Sequence, residues 1–97
     1  MQIDSADEAI QWLRSQGVDA AHFYEDSILA RAGLSDVRSE HDIKVWRYAL
    51  RLCPRDGGWV VEDQEWQVAQ STVCKTLGDA VQAVVGIFSA KRRRDED

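Results

Sequence analysis

The first segment of the chain places its apolar residues at helical spacing. Four of them fall on one face of a helix: Ala6, Ala9, Ile10 and Leu13. Ser5 and Glu8 have the spacing of a capping box, in which each side chain satisfies a free backbone N–H of the first turn. Gly17 follows, and glycine is the residue best able to adopt the left-handed conformation that ends a helix. The pattern predicts a helix between Ser5 and Gly17.

A second stretch carries a broader apolar face that also fits a helix. Its members are Ala20, Phe23, Tyr24, Ile28 and Ala32. Asp19 can cap this segment and Gly33 can stop it. Gly33-Leu34 repeats the glycine-then-aliphatic ending of Gly17-Val18, which indicates a helical hairpin. Residues 35–42 are polar and are expected to form a loop.

From Trp46 onwards the apolar positions alternate, which is typical of a half-buried strand. One face would carry Trp46, Tyr48, Leu50 and Leu52, and the other Arg47, Ala49 and Arg51. The turn cluster 54–58 leads to a second strand over 59–62, and a further turn leads to a third strand over 66–74. Residues 40–53 also fit a helix, but their aromatic and β-branched content and the Gly-Gly turn after them favour a strand.

The last apolar pattern has helical period again. Leu77, Val81, Val84 and Phe88 repeat at i, i+4, i+7 and i+11. A basic run at 91–94 and three acids at 95–97 follow. We therefore predict one globular domain over 1–90 and a charged C-terminal tail over 91–97.

Together these elements predict an α+β fold with the order α-α-β-β-β-α. A three-stranded antiparallel meander should carry the helices packed on one face. The predicted core consists of Ile10, Leu13, Trp46, Tyr48, Leu50, Leu52, Trp59, Val61, Val68, Leu77, Val81, Val84 and Phe88.

Charge narrows the classes of partner. The 97 residues carry a net charge of −5, and residues 1–42 hold nine acids against three bases. A polyanion is not attracted by such a field, so nucleic-acid binding is expected only weakly, through the basic run of the tail. No stretch is long and apolar enough for a membrane span, and the N-terminus does not resemble a signal peptide. A cytoplasmic protein with free thiols at Cys53 and Cys74 is expected.

Few residues suggest chemistry. His22, Glu25 and Asp26 fall at i, i+3 and i+4 of the second predicted helix, but a closed metal site needs further ligands, so a solvated face is favoured. His41 stands between two acids on a loop, with no activated Ser or Cys identifiable beside it. We therefore expect no catalytic site, no metal and no cofactor.

Two surfaces remain as candidates for binding a partner. One is the outer face of the sheet, where Arg47 and Arg51 would lie beside Val60 and Glu62. The other is the acidic surface of the two N-terminal helices, with Trp12 at its edge. The candidate partner-binding residues are Asp7, Glu8, Trp12, Glu25, Asp26, Arg47 and Arg51.

The functional hypothesis is a non-catalytic protein-binding domain. It would be a small acidic inhibitor, an immunity-type protein or a regulatory protein that acts on a basic protein partner, because acidic surfaces speed encounter with basic ones. One alternative is a nucleic-acid-associated module that uses Arg47, Arg51 and the 91–94 run. The other is a homo-oligomeric structural subunit, with a dimer formed through a sheet edge.

Overall fold

The computed structural model describes residues 2–34, 46–63 and 70–96, which form an α+β fold with a five-stranded antiparallel sheet. The strands follow one another in chain order from β1 to β5. The elements are helix α1 (Ala6–Ser15), β1 (Asp19–His22), a 3₁₀ turn (Tyr24–Asp26), β2 (Ile28–Leu34), β3 (Trp46–Arg55), β4 (Gly58–Asp63), β5 (Gln70–Cys74) and helix α2 (Leu77–Glu96).

The predicted second helix is wrong, and with it the helical hairpin and the three-stranded meander. The segment forms β1 and β2, which pair antiparallel from Asp19↔Arg31 to His22↔Ile28. Alternate residues of β2 are buried, with Ile28 and Ala30 at 0% exposure, because β2 lies between β1 and β3 and turns this row towards the helices. Alanine has the highest helix propensity, but intrinsic propensity is a weak preference, and strand pairing on both sides outweighs it here.

Helix α1 begins and ends as its sequence predicts. The Ser5 hydroxyl accepts a hydrogen bond from the Glu8 amide at 3.2 Å, and the Glu8 carboxylate accepts one from the amide before the cap. Gly17 has φ +83°, and the Val18 amide donates to the Leu13 carbonyl at 3.0 Å. This hydrogen bond belongs to a Schellman motif, and it brings the buried side chain of Val18 back over the helix end.

Both helices pack on one face of the sheet, where their apolar sides and the inner rows of the strands form one core. The predicted core residues that are buried are Ile10, Leu13, Leu50, Leu52, Val61, Leu77, Val81, Val84 and Phe88. Tyr48 and Trp59 are half-buried against this core. The side chains of Trp46 and Val68 lie outside the described residues. Small residues of β1 and β2 that the prediction omitted, among them Ala20 and Ala30, are also buried.

The β3–β4 hairpin turns on two residues with positive φ. Asp56 has φ +48° and Gly57 has φ +79°, the pattern of a type I′ turn that matches the twist of the strands. Gly58 then passes so close to β5 that an added Cβ would lie 2.7 Å from the Cys74 carbonyl oxygen. The hairpin and the end of β5 therefore depend on a glycine at 58.

The residues predicted as the start of a charged tail continue α2, which is helical to Glu96. Lys91 is only 4% exposed, and its Nζ lies 3.1 Å from Asp63 Oδ2 at the end of β4. The same ammonium lies 5.3 Å from the centroid of the Tyr48 ring. The first cation of the basic run thus ties the helix to the sheet. Neither of the two described α-helices combines the length and apolarity needed to span a membrane.

Alanine at two glycines should have opposite effects on stability. Gly58→Ala forces the backbone at residue 58 or the neighbouring Cys74 carbonyl to move. It should lower the free energy of unfolding by about 1–3 kcal/mol, as overpacking does. Gly86 lies in α2 with open space where a Cβ would go, so Gly86→Ala should raise it by about 0.5–1 kcal/mol. Urea denaturation of both variants measures the two effects, and equal effects would contradict the close approach at residue 58.

Loss of the Asp63 charge should destabilise the fold. Asp63→Asn removes a carboxylate that faces a buried ammonium, and we expect a loss of about 2–4 kcal/mol in the free energy of unfolding. Asp56→Asn makes the same chemical change at an exposed turn position that asparagine suits, so it is the matched control. Denaturant titration compares them, and a loss at residue 63 no larger than at residue 56 would show that the pair contributes nothing.

Candidate binding surface

The sheet face opposite the helices is not covered by any of the described elements. We call it the open face, and its residues with described side chains are Asp19, Ala21, Leu29, Arg31, Ala49, Arg51, Cys53, Arg55, Val60, Glu62 and Val73. The predicted faces of β3 are confirmed, since Leu50 and Leu52 are buried on the inner side. Arg51 lies opposite Glu62, as the sequence predicted for the outer face.

Cross-strand ion pairs hold the charged side chains of the open face. Arg31 Nη2 lies 2.7 Å from Asp19 Oδ2, and Arg51 Nη2 lies 2.5 Å from Glu62 Oε2. Arg55 reaches the other oxygen of Glu62 at 3.3 Å. The hydrogen bond to Glu62 raises the pKa of the Arg51 guanidinium further above its usual range. Two guanidinium groups therefore share one carboxylate at this end of the face.

An apolar row crosses the open face beside these charges. Cys53 pairs with Val60, and Val60 pairs with Val73 on β5. The Val73 residue is 79% exposed, which is unusual for an aliphatic side chain in a strand. An open groove of about 510 Å³ runs along Val60 and Val73 to the hairpin turn. The row gives the face an uncovered apolar contact area.

A small pocket adjoins the row where the 3₁₀ turn approaches β3. Its volume is about 140 Å³, and its lining residues are Tyr24, Ser27, Arg51, Cys53, Pro54 and Arg55. Tyr24 is 75% exposed and packs edge-to-face on Phe23, with 4.6 Å between ring centroids. The Nε of Arg51 is buried and has no hydrogen-bond partner among the described residues. We call this cavity the Arg51 pocket.

The predicted acidic surface is partly used within the chain. Asp7 Oδ1 lies 2.7 Å from His22 Nε2 at the end of β1, and Glu8 serves the helix cap. Trp12 is half-buried against the core, so its ring is not fully available to a partner. Asp26 sits at φ +62° in the turn between β1 and β2. Asp7, Glu8 and Trp12 belong to α1, whereas Asp26 belongs to the turn that contributes Tyr24 to the Arg51 pocket.

Several residues that the sequence analysis singled out lie wholly or partly outside the described part of the chain. Arg47 belongs to β3, but its side chain and that of Glu25 lie outside the described residues, as does the whole of His41. His22 ends a strand, so the helical spacing proposed for a metal site with Glu25 and Asp26 does not exist. Among the residues described, no group of three potential metal ligands comes together.

The Arg51 pocket was missed because two of its lining residues, Tyr24 and Ser27, come from a segment that the sequence analysis interpreted as a helix. Phe23 and Tyr24 were assigned to an apolar helical face, whereas both rings are exposed at the turn. Ser27 is buried, and its hydroxyl donates to the Tyr24 carbonyl, which fixes the turn. The polar run 25–27 between two apolar segments was the available signal for a turn.

The two cysteines are free thiols, as expected, and they lie on opposite faces of the sheet. Cys53 lies on the open face, whereas Cys74 is buried on the inner side, with β4 between their strands. Burial raises the pKa of the Cys74 thiol, and the nearby charge of Asp79 adds to this. Because the thiolate is the reactive form, both the burial of Cys74 and its raised pKa protect it from modification.

Cys53 should therefore react with iodoacetamide well before Cys74. The folded pKa of Cys74 lies above its unfolded value, so its contribution to stability is present below the unfolded pKa and is lost as pH rises through the folded pKa. Alkaline pH should thus speed modification of Cys74 through both ionisation and opening. Peptide mass spectrometry of a time course measures both sites, and equal rates at neutral pH would contradict the placement of Cys74.

No protein-family model matches this chain, and neither does any curated protein or solved structure. The open face, its ion pairs and the Arg51 pocket are therefore the features from which function is inferred.

Proposed function

We propose that the protein is a non-catalytic binding protein that docks a basic protein partner through the open face of its sheet. The observation that carries this proposal is the one-sided packing of the described elements. Both helices pack on one side of the sheet, whereas the other side presents flat, uncovered strands. A five-stranded sheet with one free face provides a broad, preformed surface for a partner.

The composition of the open face supports a protein partner. Apolar side chains at Leu29, Val60 and Val73 alternate with small residues and with charged pairs. Interfaces commonly combine an apolar centre with arginine and tyrosine and a polar rim. The rigid strands hold these groups without loop ordering, which lowers the entropic cost of association.

Charge supports a basic partner. The ion pairs Asp19–Arg31 and Arg51–Glu62 leave little net charge on the face itself. The net charge of −5 therefore acts mainly at long range, with exposed acids such as Asp4 and Asp7 contributing around α1. A field of this sign steers a basic protein and raises its association rate.

A non-catalytic role is supported by the setting of the histidine–carboxylate contact. His22 and Asp7 form a close pair, but their side chains are 61% and 79% exposed. General acid–base chemistry is effective in a pocket that excludes water and positions a substrate. A solvated pair on the surface is better explained as a link between α1 and β1.

The alternative of a nucleic-acid module has less support. Lys91 is buried beside Asp63, and Arg51 is paired with Glu62. Of the basic run, Arg92 and Arg93 are exposed in the described residues. Phosphate contacts need cations that are free to neutralise the backbone, and two of the proposed cations already face carboxylates.

A sheet-edge dimer is a second candidate because of β5. Within the described residues β5 pairs only with β4, so its other edge presents backbone hydrogen-bonding groups. Natural edge strands commonly carry charged side chains that prevent pairing with another chain, and residues 70–74 carry none. Light scattering after size exclusion distinguishes self-association from binding of a different protein.

Retention of a basic protein by the immobilised full chain should depend on the open face. Val73→Asp places a carboxylate in the apolar row and should reduce the retained partner at least about tenfold, since buried charge at an interface is costly. Gln82→Asp adds the same charge on the exposed side of α2 and is the control. Each immobilised variant is incubated with cell extract from the source organism, and quantitative mass spectrometry of the retained proteins compares the variants.

The salt dependence of this interaction tests whether the negative charge of the chain steers the basic partner. The association rate, followed by biolayer interferometry, should fall as ionic strength rises. Partner retention that survives Val73→Asp, or a retained partner that is acidic, would overturn the proposal.

A further inference from the structure

The Arg51 pocket carries an imbalance of charge that the fold does not resolve. Arg51 and Arg55 both line the pocket, and both contact the single carboxylate of Glu62. The Arg55 contact is the longer, at 3.3 Å, and its side chain is 60% exposed. Among the charged lining residues and Glu62, two cations thus face one anion, in a protein whose net charge is negative.

A second observation points to a missing acceptor. In the part of the chain that the structure describes, the buried Nε of Arg51 has no hydrogen-bond partner, although Nη2 of the same group bonds to Glu62. A buried donor left unsatisfied is unfavourable, and native structures supply partners for most of them. The planar guanidinium offers parallel N–H groups that match the two oxygens of a carboxylate.

The size and rim of the pocket indicate what it holds. A volume of about 140 Å³ is well above what a single water needs and leaves room for the end of one acidic side chain. Tyr24 stands exposed at the rim, where aromatic residues commonly anchor protein contacts. A nucleic-acid strand is disfavoured because one surplus positive charge does not offset repulsion by the remaining surface.

We propose that the Arg51 pocket binds a side-chain carboxylate of the protein partner. Its contacts would be with Arg51 and Arg55, with the Tyr24 ring covering the stem of the acidic side chain. The inference rests on the proposed function, because Arg51 and Cys53 belong both to the pocket and to the open face. Net charge would steer a basic partner, and this contact would fix its register.

The test is an NMR titration of the ¹⁵N-labelled full chain with N-acetyl-glutamate N-methylamide. We expect saturable shifts of the Arg51 Nε–Hε resonance and of the Ser27 and Cys53 amides, with a dissociation constant in the millimolar range. The glutamine analogue keeps the shape of the probe but lacks the charge, and it should produce no saturable shift at the same concentrations. Inorganic phosphate, as a third probe, should bind more weakly than the glutamate derivative.

Matched variants locate the site. Arg55→Gln should weaken binding of the glutamate derivative about fivefold or more, because it removes one charged contact at an exposed position. Arg92→Gln makes the same change at an exposed position of α2, outside the open face and the pocket, and should leave the dissociation constant within about twofold. Amide spectra of both variants confirm that the fold is retained.

Several outcomes would overturn the carboxylate site. They are absence of binding, equal binding of the glutamine analogue, tighter binding of phosphate, and equal effects of the two arginine variants. Each of these leaves the docking proposal standing if Val73→Asp still abolishes partner retention. Conversely, a pocket that binds the glutamate derivative in a chain that retains no basic protein would contradict the docking proposal alone.

Discussion

Strand β3 pairs with β2 from Trp46 to Leu52 and with β4 from Leu50 to Arg55, so its register determines which side chains of the sheet face the helices. Its inner row places Leu50 and Leu52 at zero exposure in the core. Its outer row supplies Arg51 and Cys53 to the open face. A slip of one residue would exchange the two rows, burying the arginine and exposing the leucines. The core and the open face are therefore set by one alternation.

That alternation is also what made β3 and β4 predictable from the sequence. Apolar and polar residues alternate in β3, and the aromatic and β-branched content favoured a strand over the helix that residues 40–53 also fit. Asp-Gly at 56–57 has the φ preferences that a type I′ turn needs. The two helices were predictable because their caps and apolar stripes agree. The pairing of Arg51 with Glu62 followed once the hairpin register was fixed.

The N-terminal half of the sheet was not predictable in the same way. In residues 19–33, alanines and large apolar residues fit both a period of 3.6 and a period of 2. The choice depends on the neighbouring strands, since Ile28 and Ala30 gain their burial from β3 and from the helices. Because Tyr24 and Ser27 come from this segment, the Arg51 pocket could not be predicted either.

The burial of Lys91, the first cation of the basic run, was not expected, because charge in a sequence does not reveal burial. Lys91 follows the apolar stripe of α2 at i+3 from Phe88, so it faces the sheet rather than solvent. There it meets Asp63 and the Tyr48 ring, which offset part of the cost of removing an ammonium from water. The stem of the lysine adds apolar contact in the same position.

The distribution of charge separates long-range attraction from short-range selection. The net negative charge acts over about a Debye length of roughly 8 Å at physiological salt, and it distinguishes partners only by their sign. The Arg51–Glu62–Arg55 cluster acts at hydrogen-bond distance, where geometry matters. Glu62 already contacts one nitrogen of each of the two guanidinium groups. In the proposed complex, a carboxylate from the partner would therefore bond to the remaining N–H donors and would not displace Glu62. A basic protein with one well-placed acid would meet both conditions, whereas a uniformly basic surface would be attracted but not held in one orientation.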